Sequence, residues 1–458
     1  MSLVACVDFG STFTKASLVD IEGGDLVATA SSRTTVETDV LDGWYSCLHQ
    51  LSEVEPGARR ARLLACSSAG GGLRVAVVGN EELVTAEAGR RVALSSGGRV
   101  VHVASGGLDQ PAISRLRESG PDVVLLVGGT DGGNSEVILG CARALADASW
   151  PTPVVVAGNA QAQQEIAGML AGSGTPYVRS DNVVPQIGVL APTSARTAVR
   201  EMFLRHVIGG KHLSRGAEFE EMVKGATPDV VLTAVELLAR GLDEERPGVG
   251  DVVVVDVGGA TTDVHSVVEI DPEDAGLARQ VVARVPVSRT VEGDLGMRWS
   301  AGSTVAEGLA AGLVPTGRGA VLESAAELRR KAPGYLPDSA ESSGEEEEIA
   351  SVAVTLALRR HAGRAQVRYG PDGRVVERTG TDLREVDLLV GSGGVLRESR
   401  GEVSDRILSA AVGEREGGWQ LPRHPRVVVD RDYVLAPAGL LAQEYPEAAH
   451  QLVSTLVR

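Results

Sequence analysis

Residues 8–15 read DFGSTFTK, and 248 positions later residues 256–263 read DVGGATTD. Each motif closes an apolar run, Leu3 to Val7 before the first and Val252 to Val255 before the second. Each ends that run on an aspartate, then turns through glycines and small hydroxyl residues. A buried strand of this kind delivers a carboxylate to a sheet edge, and glycine lets backbone N–H groups converge on an anion. A single such turn is common between strands. Two of them, both behind strand-final aspartates, predict two facing halves that clamp one nucleotide–metal complex. Lys15 strengthens the first turn. The chain has 40 arginines and four lysines, and a compact ammonium suits a phosphate met end-on, where a planar guanidinium fits poorly. The turn is not a Walker A loop, because Thr14 rather than glycine precedes Lys15.

At 458 residues the chain has room for about three domains at the usual ~150 residues each. It is 43% hydrophobic but only 3% aromatic, so Val, Leu and Ala must fill its cores, which favours parallel α/β layers. A formal charge of −17 argues against nucleic acid, whose phosphates demand basic groups, and against anionic membranes. Cys6, Cys47, Cys66 and Cys141 form no C-x-x-C pair and read as reduced, buried thiols. Asp8 interrupts the N-terminal apolar run, and no stretch reaches 18 apolar residues. A cytoplasmic protein is expected.

Patterning divides the chain into four. Residues 1–72 open with strands at 3–9, 14–20 and 25–31, a helix around 39–51 and a strand at 61–66, so the first turn lies in a β-hairpin. A Rossmann unit would place it between strand and helix. Residues 73–182 repeat apolar runs at 73–78, 99–104, 122–127, 153–157 and 176–178, predicting an inserted doubly wound, flavodoxin-like sheet. Its GGTDGGN loop (128–134) lies where ligands or partners dock on such sheets, or is a plain tight turn. Residues 183–250 read as helices near 185–208 and 229–240, ending in a DEERPG linker. Residues 251–458 carry strands at 252–256, 263–269 and 280–287. They continue with a helix at 344–363 whose acidic start suits the macrodipole, a hairpin at 368–378, and VDLLVGSGGVLR (386–397), a strand entering a glycine turn.

The order of these elements over 1–31 and 251–442 resembles the actin/hexokinase/Hsp70 ATPase superfamily. That resemblance implies a two-lobed α/β fold with ribonuclease H-like halves. It implies ATP and Mg²⁺ as cofactors. Gly10, Ser11, Thr12 and Lys15 would meet phosphates, as would Gly258, Gly259, Thr261 and Thr262. Asp8 and Asp256 would hold Mg²⁺ through waters, with Asp263 as a third catalytic candidate, and Gly393 and Gly394 would border the adenosine. Ala260 stands where many relatives have a third glycine. Glu292 and Asp294 in VEGDLGMR (291–298) could face the γ-phosphate or hold the turn together.

Longer phrases, VDFGSTFTKASLVD, VLLVGGTDGGN, DVGGATTDVHSV and RTVEGDLGMRWSA, resemble the glutamate mutase L-type accessory proteins. This implies a weak ATPase that reactivates adenosylcobalamin-dependent glutamate mutase or a related mutase, with mutase subunits as partners and the insert as the docking element. The insert's His102, in VVHVASGG, lacks the Asp-x-His-x-x-Gly setting of a cobalamin binder. Three alternatives stay open. One is a small-molecule kinase using Asp263 or Asp294. Another is an assembly protein that binds ATP with negligible hydrolysis. The last is an iron–sulfur activase, for which Cys6 and Cys66, on buried strands, are poorly placed.

Overall fold

The computed structural model describes residues 2–35, 38–69, 73–208, 213–214, 218–269, 286–370, 373–413 and 417–458, without the side chains of 82, 83, 207, 366–370 and 373–378. It divides into two compact units, one built from Met1–Val19 and Val27–Val230, the other from Asp20–Leu26 and the described residues after Val230. The strands, in chain order, are β1 (Leu3–Phe9), β2 (Phe13–Asp20), β3 (Asp25–Arg33), β4 (Arg62–Ser67), β5 (Leu73–Gly79), β6 (Gly98–Ser105), β7 (Val123–Leu126), β8 (Val154–Val156) and β9 (Tyr177–Arg179). There follow β10 (Val223–Ala226), β11 (Val252–Val257), β12 (Thr262–Val267), β13 (Val287–Glu292), β14 (Ala365–Gly370), β15 (Gly373–Arg378), β16 (Leu388–Ser392) and β17 (Arg426–Val429).

Two of the sheets share one plan. The first runs β10-β4-β1-β2-β3 and the second β17-β16-β11-β12-β13. In each, the strand before a glycine turn is central and a hairpin partner lies on one side. On the other side two strands run parallel to it. These are two ribonuclease H-like halves, the architecture of the actin-like ATPases. The plan follows from the sequence. β1 and β11 are apolar on both faces, as a central strand covered on both sides requires, and their turns are too short for anything but a hairpin.

A third sheet, β6-β5-β7-β8-β9, is parallel throughout, in the flavodoxin-like order. Its residues alternate between two cores. Val75, Val77, Leu125 and Val155 share a cluster with Val92, Ala195 and Val199 from the helices Glu87–Ser95 and Thr193–Met202. Ala76, Val78, Val124, Leu126 and Val156 share the other with Ile113, Ile138 and Ile166, from the helices Gln110–Glu118, Glu136–Asp147 and Gln163–Ser173. Alternation of this kind is what makes the sheet doubly wound. The first of these clusters also contains Val7 and Phe9 of β1, so the insert is not detachable. One core serves it and the first ribonuclease H-like sheet, and Phe219 closes it edge-on against Phe9 at 5.1 Å.

Several expectations need correction. The described residues of 183–247 are mainly helical, as expected, but β10 lies among them and adds the fifth strand to the first sheet. The helix expected over 185–208 begins only at Thr193 and ends in a π-helical turn, Phe203–Ile208. DEERPG is no open linker, since Leu242 N–H bonds Arg246 C=O and Arg246 pairs with Asp243 and Glu447. The expected strand 280–287 falls largely outside the described residues, and the observed strand is β13. Finally, the acids that open the long helix Ala340–Ala362 serve more than the macrodipole. Glu346 bonds Arg298 and the fully buried Arg329, Glu347 bonds Arg406, and Glu348 bonds Arg318.

Candidate functional site

The two glycine turns close with the same bond. Gly10 N–H donates to Phe13 C=O at 3.2 Å, and Gly258 N–H to Thr261 C=O at 2.9 Å. A methyl on either glycine would fall 2.6 and 2.8 Å, respectively, from that carbonyl oxygen. Glycine is therefore required in both places by close approach.

In the first unit, Asp8 is almost fully buried. Its Oδ1 accepts from the Thr227 hydroxyl and faces the Cys66 thiol, its parallel neighbour on β4, at 3.6 Å. Burial, together with that carboxylate, pushes the Cys66 pKa well up. Thr34 ties the turn to β3: its hydroxyl donates to Gly10 C=O and its N–H to Thr12 C=O. Ser11 is exposed, whereas the Thr12 Oγ1 is buried with no hydrogen-bond partner. Thr14 is fully buried against Thr34 and closely approached by Gly43 of the helix Val40–Val54. Counting back from the turn bond places Lys15, half-buried, opposite Asp8.

In the second unit, Asp256 lies directly opposite Asp263 and beside Ser392 of β16. Asp263 is paired with Arg289 of β13 at 3.0 Å, while its Oδ1 is buried with no bonding partner. The Thr262 hydroxyl is likewise buried and unbonded; Thr261 and Gly259 are partly exposed. The segment after β13 braces the turn from behind. Met297 N–H bonds Gly258 C=O, the N–H groups of Arg298 and Trp299 bond Gly259 C=O, and the Ser300 hydroxyl bonds Ala260 C=O. Glu292 and Asp294 do hold this segment. One guanidinium, Arg360, bonds both carboxylates and also Glu307. Burial raises the Glu292 pKa; burial also pushes that of Asp294 up, but Arg360 outweighs it and the net shift is downward.

The adenosine candidates adjoin the second turn. Gly393 has φ +99, and a methyl there would lie 2.2 Å from the Val257 carbonyl oxygen. Gly394 opens the helix Gly394–Glu398 with free space over its Cα. Gly10, Ser11, Thr12, Lys15 and Asp8 are thus gathered in the first unit. Gly258, Gly259, Thr261, Thr262, Asp256, Asp263, Gly393 and Gly394 are gathered in the second. Thr227 and Arg289, which sequence reasoning missed, bond Asp8 and Asp263 respectively. Neither carries a local motif: Thr227 opens a helix directly after β10, and Arg289 reaches Asp263 through the register of β13.

Oxygen donors suit Mg²⁺. Among the described residues no group of three His, Cys, Asp or Glu could cage a metal. A divalent ion at these carboxylates would therefore draw most of its ligands from water and phosphate, as Mg²⁺ prefers.

The GGTDGGN loop is tied down by side-chain hydrogen bonds. Asn159 donates to Thr130 and Gly133 carbonyls, and Asn182 donates to Gly129 C=O and to the Asp131 carboxylate. Asp131 N–H also bonds Pro185 C=O, which anchors the neighbouring tip where Ile187 is 80% exposed. Among the described residues no helix is long and apolar enough to cross a membrane.

The family model described as MutL protein matches residues 4–457. The curated protein named Protein MutL, from Clostridium tetanomorphum, is 36% identical over 464 residues, covering 99% of this chain and 98% of its own length. Solved structures align at low similarity. Ethanolamine utilization protein EutJ from Carboxydothermus hydrogenoformans is 11% identical with a TM-score of 0.29, over 96% of this chain and 88% of its own. The activator of the 2-hydroxyisocaproyl-CoA dehydratase from Clostridium difficile, with bound ADPNP, is 10% identical with a TM-score of 0.29, over 97% and 95%. The strand orders, not these two alignments, define the fold.

Proposed function

Because the chain belongs to the MutL protein family, we propose that it is a cytoplasmic accessory factor that binds and slowly hydrolyses Mg·ATP to reactivate an adenosylcobalamin-dependent mutase, glutamate mutase or a relative. The observation that carries the nucleotide reading is the repeated turn. Two sheets of one strand order each present a glycine turn closed by the same bond, behind an aspartate one residue from the strand end. A phosphate gains from backbone N–H groups and from Lys15. The buried, unbonded hydroxyls of Thr12 and Thr262 are groups whose desolvation a ligand would offset. Mg²⁺, when bound, supplies charge neutralisation for phosphoryl transfer; Asp8 and Asp256 are the carboxylates to hold it, and Gly393 and Gly394 leave room for the nucleoside.

The partner reading rests on the insert. Its GGTDGGN loop and the Ile187 tip form a stiff surface at the carboxyl ends of a flavodoxin-like sheet, where such sheets meet ligands and partners. The kinase alternative loses ground, because its candidate substrate carboxylates are engaged: Asp263 by Arg289 and Asp294 by Arg360.

Lys15→Ala and Asp256→Ala, one in each unit, should each weaken ATP binding by about a hundredfold while the far-ultraviolet circular dichroism stays unchanged. Retained binding in both would overturn the site. Ile187→Asp should cut capture of mutase subunits at least tenfold and leave ATP binding alone. Equal capture by the variant would remove the docking surface.

A further inference from the structure

The four bonds behind the second turn also decide which way its peptides face. Across a trans peptide the carbonyl and the following N–H point in opposite directions, and the described residues contain no cis peptide. Met297 N–H holds Gly258 C=O, the N–H groups of Arg298 and Trp299 hold Gly259 C=O, and the Ser300 hydroxyl holds Ala260 C=O at 2.6 Å. Three successive carbonyls are thus drawn to one side. The N–H groups that share those peptides, on Gly259, Ala260 and Thr261, therefore face the other. Among the described residues none of the three donates to another group, and all three residues are partly exposed. Successive N–H groups turned to one side form an anion-binding concavity. The backing segment is itself fixed, because Arg298 bonds Glu346 of the long helix at 2.8 Å and Gly296 N–H bonds the buried Thr304 hydroxyl.

Three of the four backing groups are main-chain N–H donors, which almost any residue supplies. The fourth is a side chain. We propose that Ser300 is a positioning residue for nucleotide phosphate at the second turn. Its hydroxyl holds the Ala260 carbonyl back and so keeps the Thr261 N–H, the last of the three, aimed at the anion. The same hydroxyl lies 3.0 Å from Gly293 C=O, and its single proton favours the shorter contact to Ala260. Without that contact the Ala260–Thr261 peptide can rotate and turn a carbonyl, with its partial negative charge, toward the phosphate. The first turn has a comparable arrangement from a different residue: the Thr34 hydroxyl holds Gly10 C=O, so the Ser11 N–H faces away from β3. The inference rests on the Mg·ATP reading above and assigns a residue that reading does not use.

Ser300→Ala removes one hydroxyl and leaves the bonds from Met297, Arg298 and Trp299 in place. In the full chain it should weaken Mg·ATP binding about tenfold, the low end for one hydrogen bond to a charged group, and leave adenosine binding unchanged, both read by calorimetry. Ser300→Thr, which keeps the hydroxyl, should restore the affinity for ATP. Hydrogen exchange supplies a second arm that does not depend on adenosine. Mg·ATP should slow exchange across 258–262 in wild type and in Ser300→Thr, and slow it less in Ser300→Ala. If Ser300→Ala does not fold, Ser300→Cys, whose thiol is a weaker donor, should show the same split at smaller size. Equal loss of ATP and adenosine affinity marks a merely structural serine and overturns the assignment. So does an unchanged ATP affinity in Ser300→Ala, or a Ser300→Thr that fails to rescue, and either result leaves the nucleotide reading in place. A wild-type protein that binds no ATP even with Mg²⁺ overturns the nucleotide reading itself.

Discussion

The first and second ribonuclease H-like sheets were built to one plan and finished differently. Strand order, turn bond and the aspartate one residue before the strand end repeat, but the surroundings of the aspartate do not. Asp8 is buried beneath the Thr227 hydroxyl and the Cys66 thiol, whereas Asp256 stands among a serine, a second carboxylate and a borrowed arginine. The turns also differ in support. Thr34 ties the first to its sheet, while four donors from 297–300 brace the second. A repeated backbone plan therefore does not mean a repeated site. The second half is the more heavily cross-linked, and the predictions below ask whether that cross-linking is also its weakness.

The largest effect is expected at Gly393. Its φ of +99 and a 2.2 Å approach to the Val257 carbonyl leave Gly393→Ala both strained and clashing. The clash falls on the strand that carries the second turn. Such a change costs more than about 3 kcal/mol. Hydrogen exchange should show β11 and β16 losing protection while β1 and β4 keep theirs. Loss spread equally over both sheets would mean that the halves do not unfold separately.

Acid should discriminate next. His361, fully buried, bonds the Ser266 and Thr290 hydroxyls, and burial holds its pKa down at about 4. His265, also buried, is held well below its ordinary value by burial and then by the charge of Arg289. A buried neutral imidazole stabilises the fold fully above its ordinary pKa near 6.5, because both states are then neutral. As pH falls from about 6.5 towards 4 the unfolded chain binds the proton and the folded chain does not, so stability is lost across that window. In the first unit, among the described residues, only His102 is shifted the same way, and it is half-buried. The second sheet should therefore lose exchange protection at pH 5 before the first does. Parallel loss would show that carboxylates shared by both units, not these histidines, govern acid stability.

These contrasts also explain what could be read from sequence. The two turns, the glycine pair at 393–394 and the alternating cores of the insert were legible because each is local: strand, turn and strand within a dozen residues. β10 was not, since VKGA has one β-branched residue and gains its strand conformation only by pairing with β4. Thr227 lies 219 residues from Asp8, and Arg289 reaches Asp263 along a diagonal fixed by register; no spacing rule connects either pair. The acidic run at 345–348 was legible as a helix start but not as an ion-paired seam, because its arginines come from two other helices and two loop positions. The helix 185–208 failed for a simpler reason: Pro185 and Pro192 bracket a segment that periodicity alone would have kept helical.

The smallest effect gives the sharpest comparison. Gly10→Ala and Gly258→Ala place the same methyl against the same carbonyl, at 2.6 and 2.8 Å. By contact alone the first should be the worse. Relief, however, requires the turn to open, and the turns differ in what opening breaks. At Gly10 the closing bond is already 3.2 Å and only the Thr34 contacts must shift. At Gly258 the closing bond is 2.9 Å, and four bonds from Met297, Arg298, Trp299 and Ser300 resist movement. Gly296 also packs against Ala260 with no room for displacement. Overpacking costs about 1–3 kcal/mol, and the cost is set by how well the surroundings relax. Gly258→Ala should therefore lie near the top of that range and Gly10→Ala near the bottom, measured as the difference in denaturant midpoints. If Gly10→Ala proves the more costly, contact distance outweighs bracing, and the two turns are mechanically alike despite their different supports.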